Sequence, residues 1–134
     1  LDGASILCLQ AGNVNTGALD PARELVAAAR AAGAWVHVDG AFGLWAAASP
    51  AHARLADGYA EADSWATDAH KYLNAPYDSG VAFCRHPEQL RGAMMIGANY
   101  LAATDRREAM QYGPEMSRRA RGVVRLVEQR EEPR

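Results

Sequence analysis

Short apolar runs separated by polar turns form the main pattern of this sequence. Runs of this kind predict four β-strands, at residues 5–9, 35–38, 64–67 and 80–84. They are short and bounded by Gly, Pro, Asn or Asp, as strands buried on both faces usually are. The pattern therefore predicts an α/β protein with a largely parallel sheet.

Helical signals occupy the intervals between these strands. Asp20 is predicted to cap a helix in which Pro21 takes the first helical position, and an alanine-rich stretch continues to a stop at Gly33. With its flanking strands, this helix forms one βαβ unit. Residues 44–60 are rich in alanine and are predicted to be partly helical, whereas residues 87–91 predict a helical turn.

Chemically active side chains follow two of the predicted strands. Asp39 ends the first of these, and His70 and Lys71 come directly after the second. In open α/β sheets, ligands bind at the carboxyl ends of the strands. A lysine amine can form an imine with an aldehyde, and an aspartate can keep a pyridine nitrogen protonated. Together, these residues predict a site for pyridoxal 5'-phosphate.

The residues beside Asp39 suit a planar ligand. Ala41 would place a methyl group against one face of a ring, and Gly40 and Gly43 leave room for a close approach. Taken alone, Asp39 is equally well explained as a cap or turn residue, and Lys71 as a solvated surface lysine. Their joint occurrence at two strand ends favours the cofactor site.

These segments closely resemble the group II pyridoxal-phosphate-dependent amino acid decarboxylases, which include the aromatic amino acid, glutamate and tyrosine decarboxylases. The resemblance covers nearly the whole chain, including residues 12–17, 99–101 and 117–121. It implies part of the three-layer αβα large domain of a fold type I (aspartate aminotransferase-like) enzyme. It also implies that residues 1–134 form a single incomplete cofactor-binding domain, without the upstream phosphate-binding segment or the C-terminal small domain.

The resemblance assigns a role to several side chains of this sequence. It makes Lys71 the catalytic Schiff-base lysine, Asp39 the partner of the pyridine nitrogen and Ala41 the residue packed on the ring. His70 is expected near the cofactor phosphate. Asn13 stands where the family often has a threonine close to the phenolic oxygen of the cofactor and to the substrate, and an amide can also donate there.

Two further positions bear on the reaction. Asp68 stands where many relatives have asparagine, and an acid there would repel a phosphate unless it is turned away or paired, so we do not assign it to phosphate binding. Tyr100 matches a tyrosine that, in the resembling enzymes, lies on a mobile loop and returns a proton to the substrate carbon after carbon dioxide leaves. That tyrosine works in the active site of the neighbouring subunit. As a proton donor, Tyr100 would favour decarboxylation; its simpler interpretation is an ordinary loop tyrosine.

The resemblance implies a function for the complete enzyme, a homodimer that converts an L-amino acid to an amine and carbon dioxide. An aminotransferase or a carbon-carbon lyase using the same cofactor is one alternative. An inactive truncated fragment is another. Aromatic, acidic and diamino acid substrates all stay open, because the sequence contains no residue that decides between them.

Composition and charge argue against several other functions. The net charge of −2 and the mixture of arginines and glutamates near the C-terminus do not suggest nucleic acid binding. An apolar stripe from Met116 to Val127 predicts a helix in that region. No apolar run is long enough to span a membrane, and the four histidines lack the spacing of a metal site.

Two cysteines, Cys8 and Cys84, each lie inside an apolar run. The sequence therefore predicts two buried free thiols in a reducing compartment. There is no signal peptide, and a cytoplasmic location is expected.

Overall fold

A four-stranded sheet, ordered β1-β2-β3-β4, organises the first part of the chain. Its strands are β1 (Ile6–Gln10), β2 (Trp35–Asp39), β3 (Ser64–Asp68) and β4 (Gly80–Cys84). The computed structural model describes residues 1–94 and 111–113. The chain divides into two units, Leu1–His86 and Pro87–Arg134. Within the described ranges, no helix is long and apolar enough to cross a membrane.

The register of the strands brings their carboxyl ends to one edge of the sheet. Strands β1, β2 and β3 are parallel, with Gln10 beside Asp39 and Asp39 beside Ala66. The mostly parallel sheet predicted from the sequence is confirmed. Strand β4 runs antiparallel to β3 and pairs Gly80 with Asp68. An apolar run does not reveal its direction, so this reversal was not predicted.

Helix α1 (Ala22–Ala31) covers one face of the sheet. Its buried residues Val26 and Ala29 belong to the same core cluster as Val36 and Val38 of β2. Each buried valine stabilises the fold by roughly 1.5–3 kcal/mol relative to an exposed one. Every second side chain of a strand points to the same face of the sheet, so alternate residues of each strand contribute to this core.

The start of α1 differs from the sequence prediction. Asp20 does not cap the helix, because its carboxylate accepts the backbone N–H of Gln10 at 2.7 Å. Pro21 occupies the N-cap position, and the helix begins one residue later. The Asp20 carboxylate therefore binds the backbone N–H of the last residue of β1, an edge strand of the sheet. The predicted stop is confirmed, since Gly33 has a φ of 72° and its N–H donates to Arg30 at 3.0 Å.

The alanine-rich stretch after β2 forms three short 3₁₀ helices, Leu44–Ala48, Ala53–Ala56 and Tyr59–Glu61. This confirms the predicted partial helicity. Gly58, at a φ of 88°, begins the last of them. Tyr59 is buried beneath the sheet edge, and its hydroxyl donates to the carbonyl oxygens of Gln10 and Asp20.

Two more helices complete the description of the fold. Helix α2 (Ala69–Tyr72) follows β3 directly, and α3 (Pro87–Met94) begins the second unit. Helix α3 confirms the helical turn predicted at residues 87–91. Tyr100 and the C-terminal helix predicted from Met116 to Val127 lie outside the described residues.

The two cysteines are free, but their burial differs from the prediction. Cys8 is exposed and Cys84 is half-buried. The prediction was wrong for Cys8 because this residue lies on the opposite face of β1 from Leu7 and Leu9, which pack toward the core. An apolar run does not distinguish a strand covered on one face from a strand covered on both.

Candidate functional site

The Lys71 amine lies at the carboxyl edge of the sheet. Lys71 belongs to α2, and its Nζ is 2.7 Å from Asp68 Oδ2. The same nitrogen lies over the ring of Phe42, 4.0 Å from the ring centroid. Phe42 in turn meets Tyr72 edge to face, with 6.4 Å between the ring centroids. These contacts fix a half-buried amine between a carboxylate and an aromatic face.

Lys71 is also the only lysine in the sequence, and every other strongly basic side chain is an arginine. A guanidinium stays protonated in proteins and does not form an imine with an aldehyde under ordinary conditions. The only ε-amine of the chain therefore lies at the predicted site. This compositional signal was present in the sequence and our sequence reasoning did not use it.

Asp39 ends β2 and shapes the turn that follows it. Its Oδ1 accepts the N–H of Ala41 at 3.1 Å, which is an Asx-type turn. The turn leaves the Asp39 side chain exposed beyond the end of the strand. Ala41 is half-buried beside it. The carboxylate is thus free to face a ligand at the sheet edge while one oxygen stays oriented by the backbone.

The turn after β2 is tied to the strand that leads to Lys71. The N–H of Gly40 donates to the carbonyl oxygen of Ala66 at 2.8 Å, and Thr67 Oγ1 donates to the carbonyl oxygen of Gly40 at 3.0 Å. A Cβ at Gly40 would lie 2.5 Å from Leu44 Cβ and 3.2 Å from the Ala66 oxygen. The glycine therefore permits the close approach that places Asp39 and Lys71 at one edge.

His70 is held in a single orientation. Its side chain is 9% exposed, and its Nδ1 accepts the backbone N–H of Ser79 at 3.0 Å. The ring also lies 4.1 Å from the ring of Tyr77. Because Nδ1 accepts a hydrogen bond, the imidazole is neutral and carries its hydrogen on Nε2. His70 can therefore donate one hydrogen bond from a fixed position, as a phosphate contact requires.

Asp68 is paired rather than free. The hydrogen bond from Lys71 lowers the pKa of Asp68 below its ordinary value, with further lowering by the charge of Lys71. His70 Nε2 lies 3.8 Å from the same carboxylate oxygen. An acid near a phosphate must be paired or turned away, and in the structure Asp68 is paired with Lys71.

Asn13 has most of its hydrogen-bonding capacity engaged in its own loop. Its Nδ2 donates to Gln10 Oε1 at 2.8 Å, and its Oδ1 accepts N–H groups from Asn15 and Thr16. One amide hydrogen is left by this arrangement. Its predicted contact with cofactor and substrate stays a prediction.

A largely apolar cavity of about 540 Å³ opens beside this cluster. Asn13, Phe42 and Tyr72 line it, as does Trp45. The indole nitrogen of Trp45 is buried, and no described residue accepts its hydrogen. The cavity therefore begins next to the aromatic ring that contacts Lys71 Nζ.

The donor set fits pyridoxal phosphate. An amine for the aldehyde, a carboxylate for the pyridine nitrogen, a small side chain for the ring face and a neutral imidazole N–H all belong to one edge of the sheet. Phe42 and Thr67 were not predicted as part of the site. An aromatic residue directly after the Asp-x-Ala segment was a usable signal for Phe42, but the role of Thr67 depends on strand register.

Comparison with known proteins decides the family. The profile described as "Pyridoxal-dependent decarboxylase conserved domain" matches residues 3–126. The chain belongs to the pyridoxal-dependent decarboxylase family. This match confirms the family resemblance and the cofactor inferred from the sequence.

Members of the pyridoxal-dependent decarboxylase family resemble the chain in sequence and in structure. A tyrosine decarboxylase of Oryza sativa subsp. japonica is 35% identical over 124 residues, which are 87% of this chain and 23% of that protein. An aspartate 1-decarboxylase of Aliivibrio fischeri is 38% identical over 91 residues, or 68% of this chain and 16% of that protein.

A solved structure supports the fold assignment. The Oryza sativa TDC with PLP and tryptamine matches with a TM-score of 0.67 and 28% identity, over 74% of this chain and 20% of that chain. The fold type I assignment is thereby confirmed. The chain spans about a fifth of the length of the curated relatives it matches, 21% in the case of a tyrosine/DOPA decarboxylase of Papaver somniferum.

Proposed function

We propose that the complete protein decarboxylates an L-amino acid to an amine and carbon dioxide, with Lys71 forming the imine to the cofactor. The observation that carries this proposal is the location of Lys71. The only ε-amine of the sequence is oriented by Asp68 and Phe42 at the sheet edge where Asp39 also ends its strand. The family match supports the reaction class.

Each side chain has a definite task in this proposal. When bound, pyridoxal phosphate supplies an electron sink for negative charge at the α-carbon of the substrate. Asp39 presents a carboxylate to the pyridine nitrogen and keeps a proton there. His70 donates its Nε2 hydrogen toward the phosphate, and Ala41 packs against the ring. Asn13 contributes its remaining amide hydrogen near the phenolic oxygen and substrate.

Lys71 and Tyr100 would take part in the reaction itself. Lys71 is the nitrogen that would bind the cofactor covalently. Tyr100 delivers a proton to the α-carbon after carbon dioxide leaves, from the neighbouring subunit of a homodimer. The assignment of Tyr100 rests on the sequence resemblance, because the residue lies outside the described ranges.

The substrate is an amino acid, and aromatic, acidic and diamino acid side chains all stay open. The relatives that match the chain include a tyrosine decarboxylase and an aspartate 1-decarboxylase. We also propose a cytoplasmic location. The free thiol of Cys8 is exposed, and such a thiol persists most readily in a reducing compartment.

The absorption spectrum with pyridoxal phosphate, before and after borohydride, tests the proposal. Peptide mass spectrometry should locate the borohydride-fixed adduct on Lys71, the only lysine of this sequence. Lys71→Ala should remove this adduct. The complete protein should then release carbon dioxide and amine; formation of a keto acid would indicate an aminotransferase instead.

A further inference from the structure

We propose that Asp68 is a positioning residue that holds the Lys71 ammonium whenever that nitrogen is not covalently engaged, and thereby restrains its nucleophilicity. The inference rests on the proposed function of Lys71. It assigns a role to an acid that the proposed function leaves without one. The carboxylate binds the lysine and not the cofactor phosphate.

Two contacts around Lys71 Nζ are of the kind that bind an ammonium group. Asp68 Oδ2 lies 2.7 Å away, and the face of the Phe42 ring, which carries partial negative charge, lies 4.0 Å from the nitrogen. Asp68 is ionised at neutral pH, because the hydrogen bond from Lys71 lowers the pKa of this carboxyl group below its ordinary value. His70, the other titratable group near Asp68 Oδ2, is neutral through its bond from Ser79.

These contacts oppose the first chemical step at Lys71. An ammonium has no lone pair, so the nitrogen must lose a proton before it attacks a carbonyl carbon. The C=O bond is then replaced by C=N, and the carbonyl oxygen leaves as water with the two remaining hydrogens of the amine. Asp68 and Phe42 both stabilise the state before that proton is lost.

The same pair keeps the nitrogen within reach between steps. A lysine side chain has a flexible four-carbon stem and moves freely when it is exposed. In this structure, 28% of the Lys71 side chain and 27% of the Asp68 side chain are exposed. The two residues are separated by one turn at the start of α2, where such pairs meet readily. The carboxylate therefore fixes the position of the amine.

Labelling of the cofactor-free chain by trinitrobenzenesulfonate tests the proposal, since this reagent attacks uncharged amines. Lys71 is the only lysine of this sequence, and free Nα-acetyl-lysine added to the same solution serves as the reference amine. At one pH near neutrality, Asp68→Asn should label Lys71 about two- to fivefold faster, as expected for the loss of a partly exposed ion pair. Asp68→Glu, which keeps the charge, should restore a rate near that of the unchanged protein.

A matched charge control comes from another ion pair of the same unit. Asp57 pairs with Arg23 at 2.5 Å, and its bonds to Arg23 involve neither Lys71 nor Asp68. Asp57→Asn removes the same charge and should leave the Lys71 labelling rate unchanged. An Asp68→Asn rate equal to or slower than that of the unchanged protein overturns the proposal.

A second measurement needs no variant and covers the case in which Asp68→Asn does not fold. Salt screens partly exposed pairs, so raising the ionic strength should accelerate labelling of Lys71 relative to the added Nα-acetyl-lysine in the unchanged protein. A constant ratio overturns the proposal. Both experiments omit pyridoxal phosphate, so their results do not depend on the proposed function. A failure of the proposed function would instead appear as the absence of a Lys71 adduct with the cofactor.

Discussion

Thr67 Oγ1 donates a hydrogen bond to the carbonyl oxygen of Gly40 at 3.0 Å. Thr67 is 2% exposed, so this bond is shielded from water. It connects the strand that leads to Lys71 with the turn that follows Asp39. Two parts of the candidate site that are distant in sequence are therefore joined by one buried hydroxyl group.

Replacement of that hydroxyl should destabilise the fold. Thr67→Val keeps the shape of the side chain but removes this donor, so that the Gly40 carbonyl keeps only the longer bond from the Leu44 N–H at 3.4 Å, and the loss should cost about 1 kcal/mol. Thr67→Ser retains the hydroxyl and should lose less. Urea unfolding of both variants measures the difference. Equal stability of the valine variant and the unchanged protein would contradict this role of Thr67.

Gly58 and Gly17 form a matched pair that separates crowding from backbone strain. Both have a positive φ, 88° and 71°, but a Cβ at Gly58 would lie 2.5 Å from the backbone nitrogen of Arg23, whereas nothing lies within 4 Å at Gly17. Gly17→Ala should carry only the conformational cost. Gly58→Ala should lower the free energy of unfolding by about 1–3 kcal/mol more, because the backbone must move. Similar losses in thermal unfolding would argue against the close approach.

Asp63 should make stability depend on pH. Burial raises the pKa of Asp63, but the N–H of Val36 and the ring of His86 lower it more, and the net pKa lies below 3.8. The stabilisation that comes from a lowered pKa in the folded state is complete above about pH 5. It is lost as the pH falls through the pKa of Asp63 in the folded protein.

Asp63→Asn tests this pH dependence, because the asparagine side chain cannot ionise but can still accept the Val36 N–H. Between pH 6 and pH 3, the free energy of unfolding should fall less in this variant than in the unchanged protein. Urea unfolding at the two pH values provides the comparison. Identical losses in both proteins would exclude Asp63 as a source of acid sensitivity.

Asp39→Asn should separate folding from catalysis. Asparagine keeps an oxygen that accepts the Ala41 N–H, so the free energy of unfolding should change by no more than about 0.5 kcal/mol. The negative charge that faces the pyridine nitrogen is lost, and kcat of the complete protein should fall roughly 10²-fold or more. The borohydride-fixed adduct on Lys71 should persist. An unchanged kcat would remove Asp39 from its proposed role.

Strand positions and strand ends were predictable because they depend on local patterns. The apolar runs gave the strands within a residue or two, and Gly33 ended the helix as its position suggested. Asp39 and Lys71 follow parallel strands, so their common edge also followed from the sequence. These features need only the period of apolar residues and the chemistry of the strand ends.

Features that depend on contacts between distant residues were not predictable. Asp20 looked like a helix cap, but the edge strand supplied a competing donor in Gln10. Cys8 looked buried, because the sequence does not state which sheet face is covered. The pairing of Asp68 with Lys71 required a side-chain orientation at the start of α2, and two orientations suited the sequence equally well.

The antiparallel pairing of β3 and β4 makes the lysine-bearing segment a self-contained hairpin. Asp68 pairs with Gly80, the N–H of Ala69 donates to the Ser79 carbonyl at 2.8 Å, and Ser79 donates to His70. Closing a loop between residues this near in sequence costs little chain entropy, so the hairpin can form before the longer βαβ contacts. Asp68, His70 and Lys71 thus lie in one contiguous segment. A chimaera with a related enzyme could exchange this segment as a unit.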